Sequence, residues 1–352
     1  MDQKLFNVFA SFAINGTPVS VEPYGSGHIN VTYLAVTDKQ RYILQRINHN
    51  LFKEVDKLMN NIYLVTKHLK EKCPNDVVLT LVPTLDGKPY LAYEGEYYRV
   101  YEFIENSVCL QIPRNTEEFY ESAVAFGDFT CMLGDFDATQ LHEILPNFHN
   151  TVNRFKNFEI ALENNLANRR HLAEPEINFA LERKGIASTI VSLIESGEMP
   201  VKVTHNDTKL NNVLLEEETL KGLAVIDLDT VMPGSVCYDF GDSIRFGCNS
   251  SYEDEEDLSK VYFKMDMFEA YVKGYLSKMD NITEVEKEHL VDGAILMTFE
   301  CGIRFLSDFL DGDTYFKTTK PNHNLFRCRT QFKLVSEMEK NKEKMLEIVR
   351  KY

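Results

Sequence analysis

The run His205-Asn206-Asp207-Thr208-Lys209-Leu210-Asn211-Asn212 has the frame H-x-D-x-x-x-x-N, the strongest chemical pattern in the chain. It lies between the short apolar runs Val201–Val203 and Val213–Leu215, which read as buried strands flanking a loop. In such a loop the aspartate accepts the proton of an attacking hydroxyl. The asparagine five residues on offers its side-chain oxygen to a magnesium ion on nucleotide phosphates. Asp207 is therefore the candidate catalytic base and Asn212 a candidate metal ligand. Fifteen residues after Asn212, the apolar run Leu223–Ile226 ends in Asp227-Leu228-Asp229. A carboxylate placed there after the loop is where a phosphoryl-transfer site holds its main magnesium ligand. Asp227 takes that place, with Asp229 as a helper or second-metal position. Taken singly, an Asp or Asn in a loop is a turn former or a cap, and His205 reads as a brace for the loop rather than a proton carrier. The order of the residues on the expected elements is what points to phosphoryl transfer.

A phosphate cradle is expected upstream. Tyr24-Gly25-Ser26-Gly27-His28-Ile29-Asn30 resembles a shortened G-x-G-x-x-G between two strand-like runs. Glycine lets backbone amides approach phosphate closely, so Gly25, Ser26 and Gly27 are candidate nucleotide contacts; a plain hairpin turn is the alternative. His28 would face the phosphates or the acceptor. The third strand reads Tyr42-Ile43-Leu44-Gln45-Arg46-Ile47, which puts Gln45 where a V-A-I-K-like frame has its lysine. Arg46 belongs to the opposite face by period-2 alternation. Arg46 and Arg99 are the alternative cations for the phosphates, and Glu54 and Asp56 the candidates for the carboxylate that would pair with such a cation.

The elements that must position these residues fall into two regions. Strand-like runs at Thr17–Tyr24, Asn30–Thr37 and Arg41–Ile47 precede a helix with apolar spacing from Phe52 to Val65, with Asn50 as its expected cap. Val77–Val82, Pro89–Tyr93 and Tyr97–Phe103 are further strand candidates, and a short amphipathic helix after Asp2 opens the chain. Residues 1–105 thus read as a small antiparallel-sheet lobe with one inserted helix. Residues 106–352 read as a larger, mainly helical lobe. Its expected helices are Phe119–Phe136, Glu174–Ile194, Ser259–Leu276, Val285–Leu310 and Asn324–Val349. Its class is α+β.

The bulk properties narrow the partners. The chain has 352 residues, a length at which cores divide into lobes, with 44% hydrophobic and 26% charged residues. A net charge of −16 repels phosphate backbones and anionic lipid heads, so neither nucleic acid nor membrane is an expected partner. No spanning apolar stretch and no signal-like start is present, and the seven cysteines show no C-x-x-C or zinc spacing. A reducing cytoplasm is the expected location.

The segments V-T-H-N-D-T-K-L-N-N-V-L-L, I-D-L-D-T-V-M-P-G and Y-D-F-G-D-S-I-R-F-G resemble those of the aminoglycoside phosphotransferase-like kinases, and within them the N-acetylhexosamine 1-kinases. The likeness runs nearly end to end and includes E-P-Y-G-S-G-H-I-N, R-Y-I-L-Q-R, A-F-G-D-F, E-C-G-I-R-F-L and G-D-T-Y-F. It implies a protein-kinase-like bilobal fold using ATP and Mg2+ to phosphorylate the anomeric hydroxyl of N-acetylglucosamine or N-acetylgalactosamine. It places Asp207 as catalytic residue and Asn212 and Asp227 at the metal. It places Arg304 and Tyr315 at the sugar, with His28 and Phe246 in the same pocket. It also implies that a glutamine at the lysine place is tolerated. A bland alternative for Arg304 is an ion pair with Glu300, one turn back on the same helix face. An anomeric hydroxyl is more acidic than an ordinary alcohol, so a carboxylate base suffices. Other readings remain: a kinase of another small acceptor (a hexose, an amino alcohol or an aminoglycoside), or a silent kinase-like binding protein. Gln45 suggests the silent protein; the intact Asp207, Asn212 and Asp227 favour the enzyme.

Overall fold

The structure is a computed structural model describing residues 3–25 and 29–352. The chain opens with α1 (Gln3–Ala10), β1 (Pro18–Pro23), β2 (Val31–Thr37), β3 (Arg41–Arg46), α2 (Val55–Lys72), β4 (Leu81–Val82), β5 (Leu91–Tyr93) and β6 (Glu96–Glu102). The strands form an antiparallel six-stranded sheet in the order β1-β2-β3-β6-β4, with β5 on β6. Both of its faces are covered. Tyr42, Leu44, Tyr98 and Val100 point to one face, where they pack on Leu5, Val8 and Phe9 of α1. Arg99 and Tyr101 alternate to the other face, toward α2, so Tyr98 to Tyr101 are all buried. Arg46 lies on the α1 side and donates to Glu96 at 2.7 Å.

The larger part continues with β7 (Ser107–Cys109), α3 (Thr116–Met132), α4 (Thr151–Asn164), α5 (Glu174–Glu182), α6 (Thr189–Glu195), β8 (Lys202–Thr204), β9 (Val213–Glu216), β10 (Gly222–Val225) and β11 (Met232–Gly234). It ends with α7 (Val236–Gly247), α8 (Met265–Leu276), α9 (Glu284–Glu288), α10 (Leu290–Asp311) and α11 (His323–Lys351). Two small antiparallel sheets, β10-β9-β7 and β11-β8, lie among these helices. No helix among the described residues is long and apolar enough to cross a membrane. Asn115 caps α3 by accepting from the amide of Glu118 at 2.9 Å.

Helix α2 belongs to the core of the larger part. Leu58, Met59, Ile62 and Val65 are fully buried in one apolar cluster with Phe155, Val225 and Phe240. Asn61, also buried, donates to the carbonyls of His142 (2.8 Å) and Val231 (3.0 Å) and accepts from the amide of His142 (2.9 Å).

Several elements differ from expectation. The helix expected over Glu174–Ile194 is broken at residues 184–188 by a 3-10 turn that contains Gly185. The one expected over Val285–Leu310 restarts at Leu290, after the short α9, which a Thr283–Glu286 capping box begins. The helix expected from Ser259 begins at Met265. The strand expected over Val77–Val82 shrinks to Leu81–Val82, and Asn50 does not cap α2, whose N-cap is Glu54. Helices α4 and α7 were not foreseen. Almost every residue of α7 is buried, Asp239 and Asp242 among them. It crosses α10 at backbone contact: a Cβ added to Gly241 would lie 2.3 Å from the carbonyl oxygen of Gly293.

Candidate active site

The loop joining β8 to β9 is held from beneath by α7. Asp239, fully buried, accepts the amides of His205 (2.8 Å) and Asn206 (2.7 Å). That shape puts Asn206 in the left-handed region, φ 64°, which asparagine tolerates. Ser243 donates to the carbonyl of Thr208 at 2.6 Å and receives a bond from Tyr271 at 2.7 Å. His205 accepts the Asp207 amide on Nδ1 and meets the carbonyl of Ile226 through Nε2 at 2.9 Å. This fixes the Nε2–H tautomer and makes His205 the brace between the loop and the end of β10.

Asp207 projects from the loop with both oxygens engaged. Oδ1 pairs with Lys209 Nζ at 2.6 Å, and Oδ2 receives Asn212 Nδ2 at 3.2 Å. The Asn212 amide group also donates to the backbone carbonyl of Asp207 at 2.7 Å, which leaves its side-chain oxygen for another partner. Burial alone would lower the pKa of Lys209, but the carboxylates of Asp207 and Asp242 outweigh it and hold the ammonium charged. Asp242 is itself buried; Arg245, then Lys209, more than offset that burial and keep its carboxyl below the usual range.

Asp227 follows β10 in the left-handed region, φ 60°. Its carboxylate reaches solvent and, among the described residues, has no hydrogen-bond or ion-pair partner. Crowding by surrounding protein, then the charges of Asp229 and Asp207, push its pKa up to about 6. The Ile226 amide donates to the Asn212 carbonyl at 2.9 Å, so the two segments meet, and an unpartnered carboxylate together with the Asn212 side-chain oxygen is a donor set that suits a hard divalent cation such as Mg2+. Among the described residues no three His, Cys, Asp or Glu side chains form a protein-only cage. A magnesium ion that shares its shell with phosphates and water needs none.

Asp229 is differently placed. It receives Arg99 on Oδ1 and Asn30 Nδ2 on Oδ2 at 2.5 Å, so the expected second-metal oxygens are both committed to protein partners. Arg99 Nε also donates to Gln45 Oε1 at 2.9 Å, and Gln45 Nε2 donates to Thr32 at 3.1 Å. Gln45 thus sits in a buried network with the cation opposite it in the ladder. Glu54 and Asp56 bond elsewhere, to Lys57 and Tyr90. Gly25 has φ 73°, a conformation that favours glycine. Ser26, Gly27 and His28 lie outside the described residues.

Arg304, on α10, is half-buried over the Phe316 ring at 5.5 Å. Among the described residues it makes no ion pair. The carboxylate of Glu300, its expected alternative partner, is taken by His149 (3.0 Å) and Thr151. His149 in turn meets the carbonyl of Asn206 at 3.1 Å. A buried chain of contacts therefore runs from the Asp207 loop through His149 to the helix that carries Arg304. Arg154 lies close enough that repulsion from Arg304 adds to burial in lowering its pKa. Tyr315 is 65% exposed. Its loop is fastened by Asp308, which accepts the amides of Thr314 (2.8 Å), Tyr315 (2.8 Å) and Phe316 (2.9 Å). Phe246 is half-buried near the end of α7, beside the Arg245–Asp242 pair. Sequence reasoning missed Lys209, Asp239, His149 and Asn30. The available signals were the lysine two residues after the base and the buried acids within Y-D-F-G-D.

The profile of the phosphotransferase enzyme family, APH, matches residues 20–276. Solved structures share the whole architecture. The GDP complex of an aminoglycoside 2'-phosphotransferase-IIIa aligns with a TM-score of 0.60 at 13% identity over 97% of each chain. A microcompartment-associated aminopropanol kinase aligns at 0.57 with 14% identity, also over 97% of each chain. Plasmodium vivax ethanolamine kinase aligns at 0.55 with 15% identity, over 92% of this chain and 83% of that one. At these identities the likeness is one of fold.

Proposed function

The chain belongs to the phosphotransferase enzyme family, and we propose that within it this protein transfers the terminal phosphoryl group of ATP to the anomeric hydroxyl of an N-acetylhexosamine, giving the sugar 1-phosphate. The observation that carries phosphoryl transfer is the Asp207 carboxylate, fixed between Lys209 and Asn212, with the unpartnered Asp227 beside it. Asp207 takes the hydroxyl proton as the sugar oxygen attacks the terminal phosphorus; the bridging P–O bond breaks and ADP departs. Lys209 pairs with the base and lies where it helps balance charge on the transferred group. Asn212 and Asp227 would hold Mg2+, which when bound neutralises phosphate charge and orients the terminal phosphoryl group.

The acceptor side supports a neutral, hydroxyl-rich substrate. Arg304 and Arg154 repel one another, with the buried Glu300 as a counter-charge to both, and Arg304 makes no ion pair among the described residues. A guanidinium donates to hydroxyl and acetamide oxygens, and the exposed Tyr315 offers a ring face and a phenol. The sequence resemblance to N-acetylhexosamine 1-kinases selects the sugar class. The test is an ATP-consumption screen over free N-acetylhexosamines, hexoses, amino alcohols and an aminoglycoside, followed by phosphorus NMR of the product. A phosphorus signal coupled to the anomeric proton of an N-acetylhexosamine is expected. Turnover confined to amino alcohols or aminoglycosides refutes the acceptor.

A further inference from the structure

We propose that Arg99 is the positioning residue that replaces the missing strand lysine, fastening the small-lobe sheet directly to the metal-binding segment so that the two are in register before nucleotide arrives. A kinase-like sheet uses a lysine on its third strand to meet phosphate, paired with a carboxylate on its helix. Here that place holds the neutral Gln45, and the residue opposite it in the β3–β6 ladder is Arg99. The cation has moved one strand over, and its carboxylate has moved to the other lobe.

Arg99 is 1% exposed. Its guanidinium touches Gln45 on β3, lies 4.0 Å from Met59 Sδ on α2, and pairs with Asp229, two residues after Asp227. Asp229 also receives Asn30, and Asn30 accepts the amide of Asn48 at 3.0 Å. One buried ion pair therefore gathers the end of the Gly loop, the third strand, the helix and the segment that bears Asp227. A phosphate oxygen at Arg99 would compete with Asp229 for its guanidinium, and losing that pair would strand a buried carboxylate. The side chain thus acts through Asp229 rather than on the nucleotide, and Asp229 serves the tie rather than the metal.

This inference rests on the phosphoryl-transfer reading but not on the acceptor, so its test includes measurements that need no turnover. Arg99→Met and Asp229→Leu are combined, since an apolar pair of similar volume is tolerated where a lone buried charge is not. The double variant should melt somewhat below the wild-type temperature, because the Asn30 amide and the Gln45 oxygen lose their partners, and bind ADP in EDTA with nearly unchanged affinity by calorimetry. In the nucleotide-free protein its amides at 30–32 and 228–231 should exchange faster. Its kcat, for sugar phosphorylation or for ATP hydrolysis, should fall about 100-fold, the scale of a small misplacement of reacting groups. Arg99→Lys, which keeps the charge but not the fork, should fall between; if the double variant fails to fold, this single variant carries the same comparison. Wild-type kcat with unchanged exchange overturns the proposal. So does a loss of metal-free ADP affinity matching the loss in kcat, which would make Arg99 a phosphate ligand.

Discussion

Asp207 is the residue on which the chemistry turns, and its surroundings show how a weak base is kept ready. Lys209 and Asn212 each hold one oxygen, so the carboxylate has a fixed direction. Asp207→Asn keeps the shape and removes the proton acceptor; kcat should drop by about 10²–10⁴-fold with ADP affinity retained. A variant with near wild-type turnover would displace Asp207 as the base. Asp227 makes a second prediction. Its pKa of about 6 stands above the ordinary 3.8, first through crowding and then through Asp229 and Asp207. A carboxyl raised on folding favours the native state most at pH below its unfolded value, and that contribution is lost as pH climbs through the folded one. Mg2+ with nucleotide competes with the same proton and relieves the same repulsion. The rise in melting temperature on adding Mg2+ and ADP should therefore be large at about pH 7.5 and small at about pH 5. Equal shifts at both would remove Asp227 from the metal. Base and metal residues could be read in sequence because loop and strand keep them in a short frame. Arg99 could be named there only as a possible phosphate contact: its carboxylate lies 130 positions away, and only the fold brings the two together.

Among the elements, the strands β2, β3 and β6 were legible because they are rich in β-branched and aromatic residues and sit between turn residues. The helices α3, α10 and α11 were legible because they are long, at 17, 22 and 29 residues. Helix α7 was not, although it holds Asp239 under the catalytic loop and Asp242 behind Lys209. Its Gly241 and its two buried acids read, in sequence, as turn residues rather than as a helix interior. Its placement depends on the close crossing with α10. Gly241→Ala puts a methyl group against the Gly293 carbonyl at 2.3 Å, which should destabilise by about 1–3 kcal/mol as an overpacked contact. Because α10 carries Glu300 and Arg304, the acceptor KM should rise more than the ATP KM. Denaturant unfolding and two-substrate kinetics would check both; unchanged stability would mean that the helices separate at little cost.

For the whole molecule, the sheet of the first hundred residues is followed by helices, while one hydrophobic cluster draws on both regions. Helix α2 comes from the first hundred residues, yet it is packed into the core of the larger part and stitched there by Asn61. Asn61→Leu fills the space but leaves the amide and carbonyl of His142 and the carbonyl of Val231 without partners. It should cost about 1–3 kcal/mol for an unmet buried group. Calorimetry should show wild type and variant each melting in one transition, because the parts share a core; separate transitions would show that they do not. The same anchoring decides what kind of motion the protein has left. With α2 fixed to the larger part, a swing of the small lobe together with α2 would have to pull the helix out of that core. Small shear displacements of the sheet across the helix, within the reach of the Arg99–Asp229 pair, are the motion that leaves that core intact.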